Sequence, residues 1–363
     1  MATVYKTFLN NDIKSTRTLL HEAIPITGSI VSGTYTGSLG EELNIKNYAH
    51  GMFQSVYDYP YLSSSANHIF DLTVGYSSDS GLSSSTPDAD RVQQEKKINM
   101  YNQMAATLMG YDTNGDVILF DVDGDIAAGG FKIREAVFVN FARLLQKDEI
   151  KKGSFQMMIG SGSAYASPFS DLLTFGDTNA QNSFKVNSAV GEYGILTCSS
   201  PAACVTGRYS KAGLIFYQAG IAVLTASIFD GCTSGSMKVG ALMDALPAVT
   251  TISGALTGTS ISGTCDMFRH RVENISFNNT TELNSTIHFC RANNSDFNYS
   301  SNPSYLNESK IRVKNSQLDA PVSYITTVGL YGADNELLAV AKLSEPLKKD
   351  PTNEMILRVR LDY

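Results

Sequence analysis

The sharpest candidate for chemistry in the chain is DTNGDVILFDVDGD, Asp112 to Asp125. Asp112, Asn114 and Asp116 recur at every second position, and so do Asp121, Asp123 and Asp125. Hard cations such as calcium take carboxylate and amide oxygens at that spacing. A calcium loop of the helix–loop–helix type also asks for Gly at its sixth position and Glu at its twelfth. Those places hold Val117 and Asp123 in the first frame, and Ile126 and Lys132 in the second. The six residues are therefore weak metal candidates. Turn-forming Asp, Asn and Gly around a strand account for them better, and no metal or other cofactor is expected.

Other chemistries lack their signatures. A phosphate loop needs G-x-x-x-x-G-K-[ST], and the dipeptide Gly-Lys never occurs. Gly160-Ser161-Gly162-Ser163 and Gly231-Cys232-Thr233-Ser234-Gly235 come near the nucleophile elbow G-x-S-x-G without matching it. The histidines, His21, His50, His68, His270 and His288, form no H-E-x-x-H and read as surface or core residues. Zinc asks for close Cys/His pairs, whereas Cys198 and Cys204 have five residues between them and no second pair nearby. The five cysteines (Cys198, Cys204, Cys232, Cys265 and Cys290) are odd in number and sparse, which predicts reduced thiols made in a cytoplasm. No catalytic residue is nominated, and the chain is not expected to be an enzyme.

Composition narrows the classes. Charged residues make up 17% of the 363, below the usual quarter, while Tyr, Phe and Met number 18, 17 and 11. Interface cores favour those three residue types and shed Lys and Glu, although an aromatic-rich core gives the same count. A net charge of −7 and a pI near 5.3 argue against a nucleic-acid partner, whose footprint is basic. The first twenty residues hold no apolar signal core. The longest apolar run, Gly213 to Phe229, falls short of the roughly 20 residues that span a bilayer. No membrane insertion is expected.

The elements that must position these residues predict an α+β, predominantly β chain in four parts. Residues 1–42 read as an N-terminal arm, amphipathic near Ile13 to Ile24 and extended after it. Residues 43–152 read as a mixed α/β domain with two amphipathic helices, Ala89 to Gly110 and Ile133 to Ile150. Asn47 to Tyr61 reads as a helix ended by Pro60 or an interface strip, and Asn114-Gly115 as a hairpin turn. Residues 153–272 read as β-rich with long loops. Two strands there join at Ala219-Gly220, Ser161 to Asn187 has no clear regular element, and a short helix falls at Met237 to Leu246. Residues 273–363 read as an antiparallel, sandwich-like β-domain.

The most legible stretch is Pro321 to Tyr363. Val322 to Tyr331 and Glu336 to Leu343 read as strands around the turn Gly332-Ala333-Asp334-Asn335. Pro346 and Pro351 bracket a loop at Lys348-Lys349-Asp350. Met355, Leu357, Val359 and Leu361 then alternate with polar neighbours, so the three strands predict a meander. Tyr324, Val328, Leu330, Tyr331, Leu337, Leu338 and Val340 are its candidate interaction residues. A free edge on the closing strand would let a neighbour add a strand to it.

Five segments, AVFVNFARLLQKDEIKKGSFQMMIGS, SAVGEYGILTCSS, AGLIFYQAGIAVLTASIF, FNYSSNPSY and YITTVGLYGADNELLAVAKLSEPLKKD, together resemble a virion structural protein family. That family belongs to contractile-tailed phages, notably cyanobacterial ones, and sits in the tail or baseplate. The resemblance covers roughly Asn47 to Tyr363. It implies a non-enzymatic baseplate or wedge subunit, made in the host cytoplasm and carried in the virion. Its partners would be other tail proteins and copies of itself, with no catalytic residue carried over. VGLYGADNELLAVAKL also resembles attachment domains of phage tail fibres, through Leu330, Tyr331, Asn335, Leu337, Ala339 and Val340. That implies the alternative of a fibre adaptor or receptor-binding protein at the tail tip, with host-surface contact through attached fibres.

Overall fold

A computed structural model describes residues 5–33, 35, 42–83, 91–122, 130–161, 169, 171–198, 211–229, 256–257, 260–300, 306–307, 310–311, 318 and 320–363. Among the described residues 49% lie in strands and 17% in helices, so the fold is α+β and predominantly β. In chain order the strands are β1 (Ile13–Thr27), β2 (Ile45–Asn47), β3 (Gln54–Tyr57), β4 (His68–Tyr76), β5 (Phe120–Asp121), β6 (Lys132–Ile133) and β7 (Glu135–Phe141). They continue with β8 (Glu149–Ile150), β9 (Gln156–Ser161), β10 (Asp171–Gly176), β11 (Lys185–Asn187), β12 (Gly191–Cys198), β13 (Lys211–Phe216) and β14 (Ile221–Thr225). The last are β15 (Val272–Ala292), β16 (Leu306–Asn307), β17 (Lys310–Ile311), β18 (Ser323–Tyr331), β19 (Leu337–Lys349) and β20 (Met355–Asp362). The helices are α1 (Gly28–Ser32), α2 (Arg91–Leu108), α3 (Arg143–Gln146), α4 (Ala180–Ser183) and α5 (Ile261–Arg269).

Compactness divides the chain in two, where the sequence reads as four parts. A central unit holds Leu20–Thr281, and a terminal unit joins Met1–Leu19 to Glu282–Tyr363. The division passes through β1 and β15, so each of these strands gives one end to each unit.

In the central unit the ladder runs β15–β9–β10–β12–β13–β14–β7–β4–β3–β2. Every pairing along it is antiparallel. Period-two alternation sends side chains to two cores. Phe70, Leu72 and Val74 of β4 join Val137, Val139 and Phe141 of β7 on one face, with Ile261, Cys265 and Phe268 of α5. Ala136 and Phe138 of β7, with Leu214 and Phe216 of β13, meet Tyr101, Ala105 and Leu108 of α2 on the other. Gly75 lets α2 lie close on β4, because a Cβ there would stand 2.5 Å from the Lys97 carbonyl oxygen.

Several expectations need correction. Ile133 to Ile150 is no helix; it holds strand β7, the single turn α3 and strand β8. A strand buried on both faces is apolar throughout, so its periodicity imitates a helix. Asn47 to Tyr61 contains strand β3, and Ser161 to Asn187 contains β10 and β11. Ile13 to Ile24 shows no apolar face, since eleven successive residues of β1 are exposed. The C-terminal meander does not close. β18 pairs β19, but β20 leaves to pair β15 from Ser285↔Asp362 to Ala292↔Met355. The Lys348-Lys349-Asp350 loop begins only after β19, which runs on to Lys349. Pro346 falls in the irregularity between the Ile325↔Leu347 and Thr327↔Lys342 pairs, where no regular ladder bond is asked of it. Cys198 is disulfide-bonded, not reduced as the sequence predicts, whereas Cys265 and Cys290 are free. Bridging depends on the approach of two Cβ atoms, which spacing in sequence does not reveal.

Other expectations match. Helix α2 spans Arg91–Leu108 and stops at Gly110, whose φ is +86°. β13 and β14 join through a tight turn at Gly220, where φ is +67° and the N–H donates to the Phe216 carbonyl. The helix expected at Met237 to Leu246 lies outside the described residues.

Candidate assembly site

The β18–β19 hairpin carries the predicted interaction residues. Asn335 takes a left-handed φ of 64° in the turn, and the Gly332 N–H donates to the Glu336 carbonyl at 2.8 Å. These bonds set the register Leu330↔Ala339 and Gly329↔Val340. Leu330 is buried and Val328 half-buried. Tyr324, Tyr331, Leu337, Leu338 and Val340 face solvent, Leu338 with 69% of its surface. The Tyr331 ring also meets the Tyr5 ring at 4.7 Å. Among the described residues, β18 and β19 pair only with each other. Two strands alone are marginal in water, so the hairpin needs further support.

That support comes at its base, from residues not singled out in the sequence. Lys349 is fully buried and its Nζ donates to Asn298 Oδ1 at 2.7 Å, the Asp350 carbonyl at 2.9 Å and the Asn294 carbonyl at 3.3 Å. Three acceptors match the three protons of an ammonium group. The Ser323 hydroxyl donates to the Phe297 carbonyl beside it. Asp350 then turns the chain toward β20. Its carboxylate accepts from the Thr352 hydroxyl and N–H, which hold its pKa below the ordinary value. A solvated Lys-Lys-Asp loop and this clasp have the same sequence, so nothing local distinguishes them.

Within the terminal unit apolar side chains are distributed the wrong way round for a self-sufficient domain. Among the described residues, three of the 53 buried apolar ones belong to it: Ala292, Leu330 and Val359. Of the 27 large exposed ones among the described residues, it holds seventeen. Both hydrophobic clusters lie wholly within the central unit. β20 buries Met355, Leu357, Val359 and Leu361 at least partly, as the alternation predicts, and shows Ile356, Arg358 and Arg360 to solvent. Among the described residues, its edge away from β15 has no ladder partner.

Two of the weak metal candidates, Asp112 and Asp121, have other partners. Asp112 Oδ1 accepts the N–H groups of Asn114 at 2.8 Å and Asp116 at 2.9 Å, fastening a turn around Gly115. Asp121 is buried and paired with Lys132 Nζ at 2.6 Å, directly across β5 and β6. Asp123 and Asp125 lie outside the described residues. Among the described residues no three His, Cys, Asp or Glu side chains group around a point.

Polar clusters of the central unit are built for holding segments together. In one, Asp71 Oδ1 accepts from both the Ser55 hydroxyl and His68 Nε2, and His68 and Asp71 line a mainly apolar cleft of about 900 Å³. A hydrolytic relay places the imidazole between hydroxyl and carboxylate. Here the carboxylate stands in the middle, so the Ser55 proton is directed away from the base. In a second, the buried Arg269 donates to Gln54 Oε1 at 2.7 Å, the Val31 carbonyl at 2.8 Å, Asp266 Oδ1 at 2.6 Å and the Glu42 carboxylate. Glu42 also meets His270 Nε2 at 2.8 Å. Desolvation pushes the Glu42 pKa up, but the hydrogen bond from His270 and the charge of Arg269 hold it below the usual value. In a third, buried Asp177 accepts from Gly153 N–H at 2.8 Å, Phe155 N–H at 2.9 Å and the Tyr217 hydroxyl at 2.9 Å. Burial raises its pKa despite these three donors.

No protein-family model, curated protein or solved structure matches the chain.

Proposed function

We propose that the chain is a non-enzymatic structural subunit of a contractile phage tail, in the baseplate or its wedge, joining neighbouring subunits through β-strands and extended segments. The observation that carries this reading is the terminal unit, with three buried apolar residues against seventeen large exposed ones among its described residues. Apolar side chains left exposed in such number support an interaction role, and obligate interfaces are more apolar than ordinary surface. The virion setting rests on the resemblance of the segments between Asn47 and Tyr363. Mass spectrometry and negative-stain imaging of purified virions test it: the protein should be found in intact particles, and its absence would sink the idea. Deleting residues 322–363 should stop particle assembly, with particle yield as the measure.

A second reading, a fibre adaptor or receptor-binding protein at the tail tip, is favoured by the exposed Tyr331, Leu337 and Val340 of the fibre-like segment. Antibodies raised against the hairpin separate the two. Labelling at the tip of intact tails supports the adaptor, and inaccessibility supports the baseplate subunit.

A further inference from the structure

We infer that Asn114 is a site of spontaneous covalent modification: the Asn114-Gly115 turn passes from asparagine to aspartate and isoaspartate as the protein ages, and the change loosens that turn. The inference is independent of the assembly reading above.

The sequence supplies the reacting pair. Asn114-Gly115 is the one Asn-Gly dipeptide in the chain. Glycine carries no Cβ to hold its backbone nitrogen away from the side chain before it. A nucleophile and an electrophile joined in one chain react far faster than separate molecules once they come close.

The structure leaves both groups accessible. Residues 111–116 are all exposed. Among the described residues the Asn114 side chain has no hydrogen-bond partner. Asn187 and Asn284, each followed by serine, are held instead: Asn187 Nδ2 donates to the Leu108 carbonyl at 2.6 Å, and Asn284 Nδ2 donates to Glu282 Oε1 at 3.0 Å. A Cβ at Gly115 would meet no atom within 4 Å, so space for ring closure is open there. The Gly115 N–H donates to the Asp112 carbonyl at 3.2 Å, the long end of the usual range. A surface turn held by exposed bonds of that kind opens at small cost.

The step balances with water as co-reactant. The Gly115 backbone nitrogen gives its proton to hydroxide and attacks Cγ of Asn114. A bond forms between that nitrogen and Cγ, closing a succinimide ring, and Nδ2 leaves as ammonia. Water then opens the ring. Opening at Cγ gives aspartate, and opening at the Asn114 backbone carbonyl gives isoaspartate. Either product is about 1 Da heavier and holds one new carboxylate, which adds one negative charge to the −7 of the chain. In isoaspartate the main chain is longer by one carbon. The Gly115 N–H to Asp112 carbonyl bond and the Asp112 N–H to Asp116 carbonyl bond then lose their register.

The test incubates the full chain at neutral and at mildly alkaline pH, native and in urea, and maps its peptides by mass. The peptide holding Asn114 should gain about 1 Da before any other asparagine peptide, and faster at the higher pH. Its native rate should lie within about tenfold of its rate in urea, because the turn protects little. Asn114→Gln, whose longer side chain closes a less favourable ring, should slow the conversion at least about tenfold. In the converted protein, hydrogen exchange should quicken across residues 111–118 while the main unfolding transition stays in place. A native chain whose Asn114 peptide keeps its mass while the unfolded chain converts overturns the inference. So does earlier conversion at another asparagine, a Gln variant that converts at the wild-type rate, or unchanged exchange across the turn.

Discussion

The rings of Phe141 and Phe277 lie 4.9 Å apart, although five strands separate β7 from β15 along the ladder. In a flat sheet, steps of about 4.8 Å per strand would set them about 29 Å apart. The sheet of the central unit therefore curls until its two regions share one core. Asn279 Nδ2 donates to the Leu145 carbonyl at 2.8 Å and Asp148 N–H donates to the Thr280 carbonyl at 3.1 Å, so α3 and β8 bridge the same gap with polar bonds.

Truncating either ring should loosen that closure. Phe277→Ala and Phe141→Ala are each expected to destabilise the central unit by about 3–5 kcal/mol. Because the rings touch, the double variant should differ from the sum by about 0.5–1.5 kcal/mol. Urea unfolding of the four proteins of the cycle measures both quantities, and strict additivity would argue against direct contact.

Removing Arg269 strands Glu42, Asp266 and Gln54 together. Arg269→Ala should cost about 3–5 kcal/mol, the typical loss when one partner of a buried ion pair is deleted. The folded pKa of Glu42 lies below its ordinary 4.5. Its contribution to stability is thus present above pH 4.5 and lost as pH falls through the lower folded value. Without the guanidinium, this acid limb should move to higher pH. Urea midpoints between about pH 3 and 7 check the shift.

Asp177 has the opposite sign. Burial raises its folded pKa above the ordinary 3.8, so its contribution is largest below pH 3.8 and is lost as pH rises through the folded value. Tyr217→Phe removes one of its three donors and should raise that pKa further. The variant should lose about 1–3 kcal/mol at neutral pH, and less in acid. A uniform loss at all pH values would count against the linkage.

Lys349 anchors the hairpin base, so Lys349→Met should free the hairpin without unfolding the central unit. Leaving the acceptors Asn298 Oδ1, Asn294 O and Asp350 O without their donor should cost about 1–3 kcal/mol. Hydrogen exchange should quicken across residues 323–349, while the main unfolding transition keeps its midpoint.

Local chemistry was enough to determine the β-rich class, helix α2 with its stop at Gly110, the Gly220 turn, the β18–β19 hairpin and the buried alternation of β20. Each depends on neighbouring residues: a left-handed glycine, a period of two, a turn between apolar runs. Of the seven hairpin residues the sequence singles out, five are exposed, while Leu330 is buried and Val328 half-buried. Only the tertiary structure decided that β20 leaves the meander for β15, that β7 is a strand buried on both faces, and that Lys349 is a clasp. It alone placed Asp121 beside Lys132 and Arg269 among four acceptors. The physical reason is that strand pairing and buried charge depend on residues far apart in the chain. Arg269 and Gln54 are separated by more than two hundred positions, and no window along the sequence contains both. The scarcity of buried apolar side chains in the terminal unit is of the same kind, because its apolar residues are ordinary in the sequence and only three-dimensional packing leaves them uncovered.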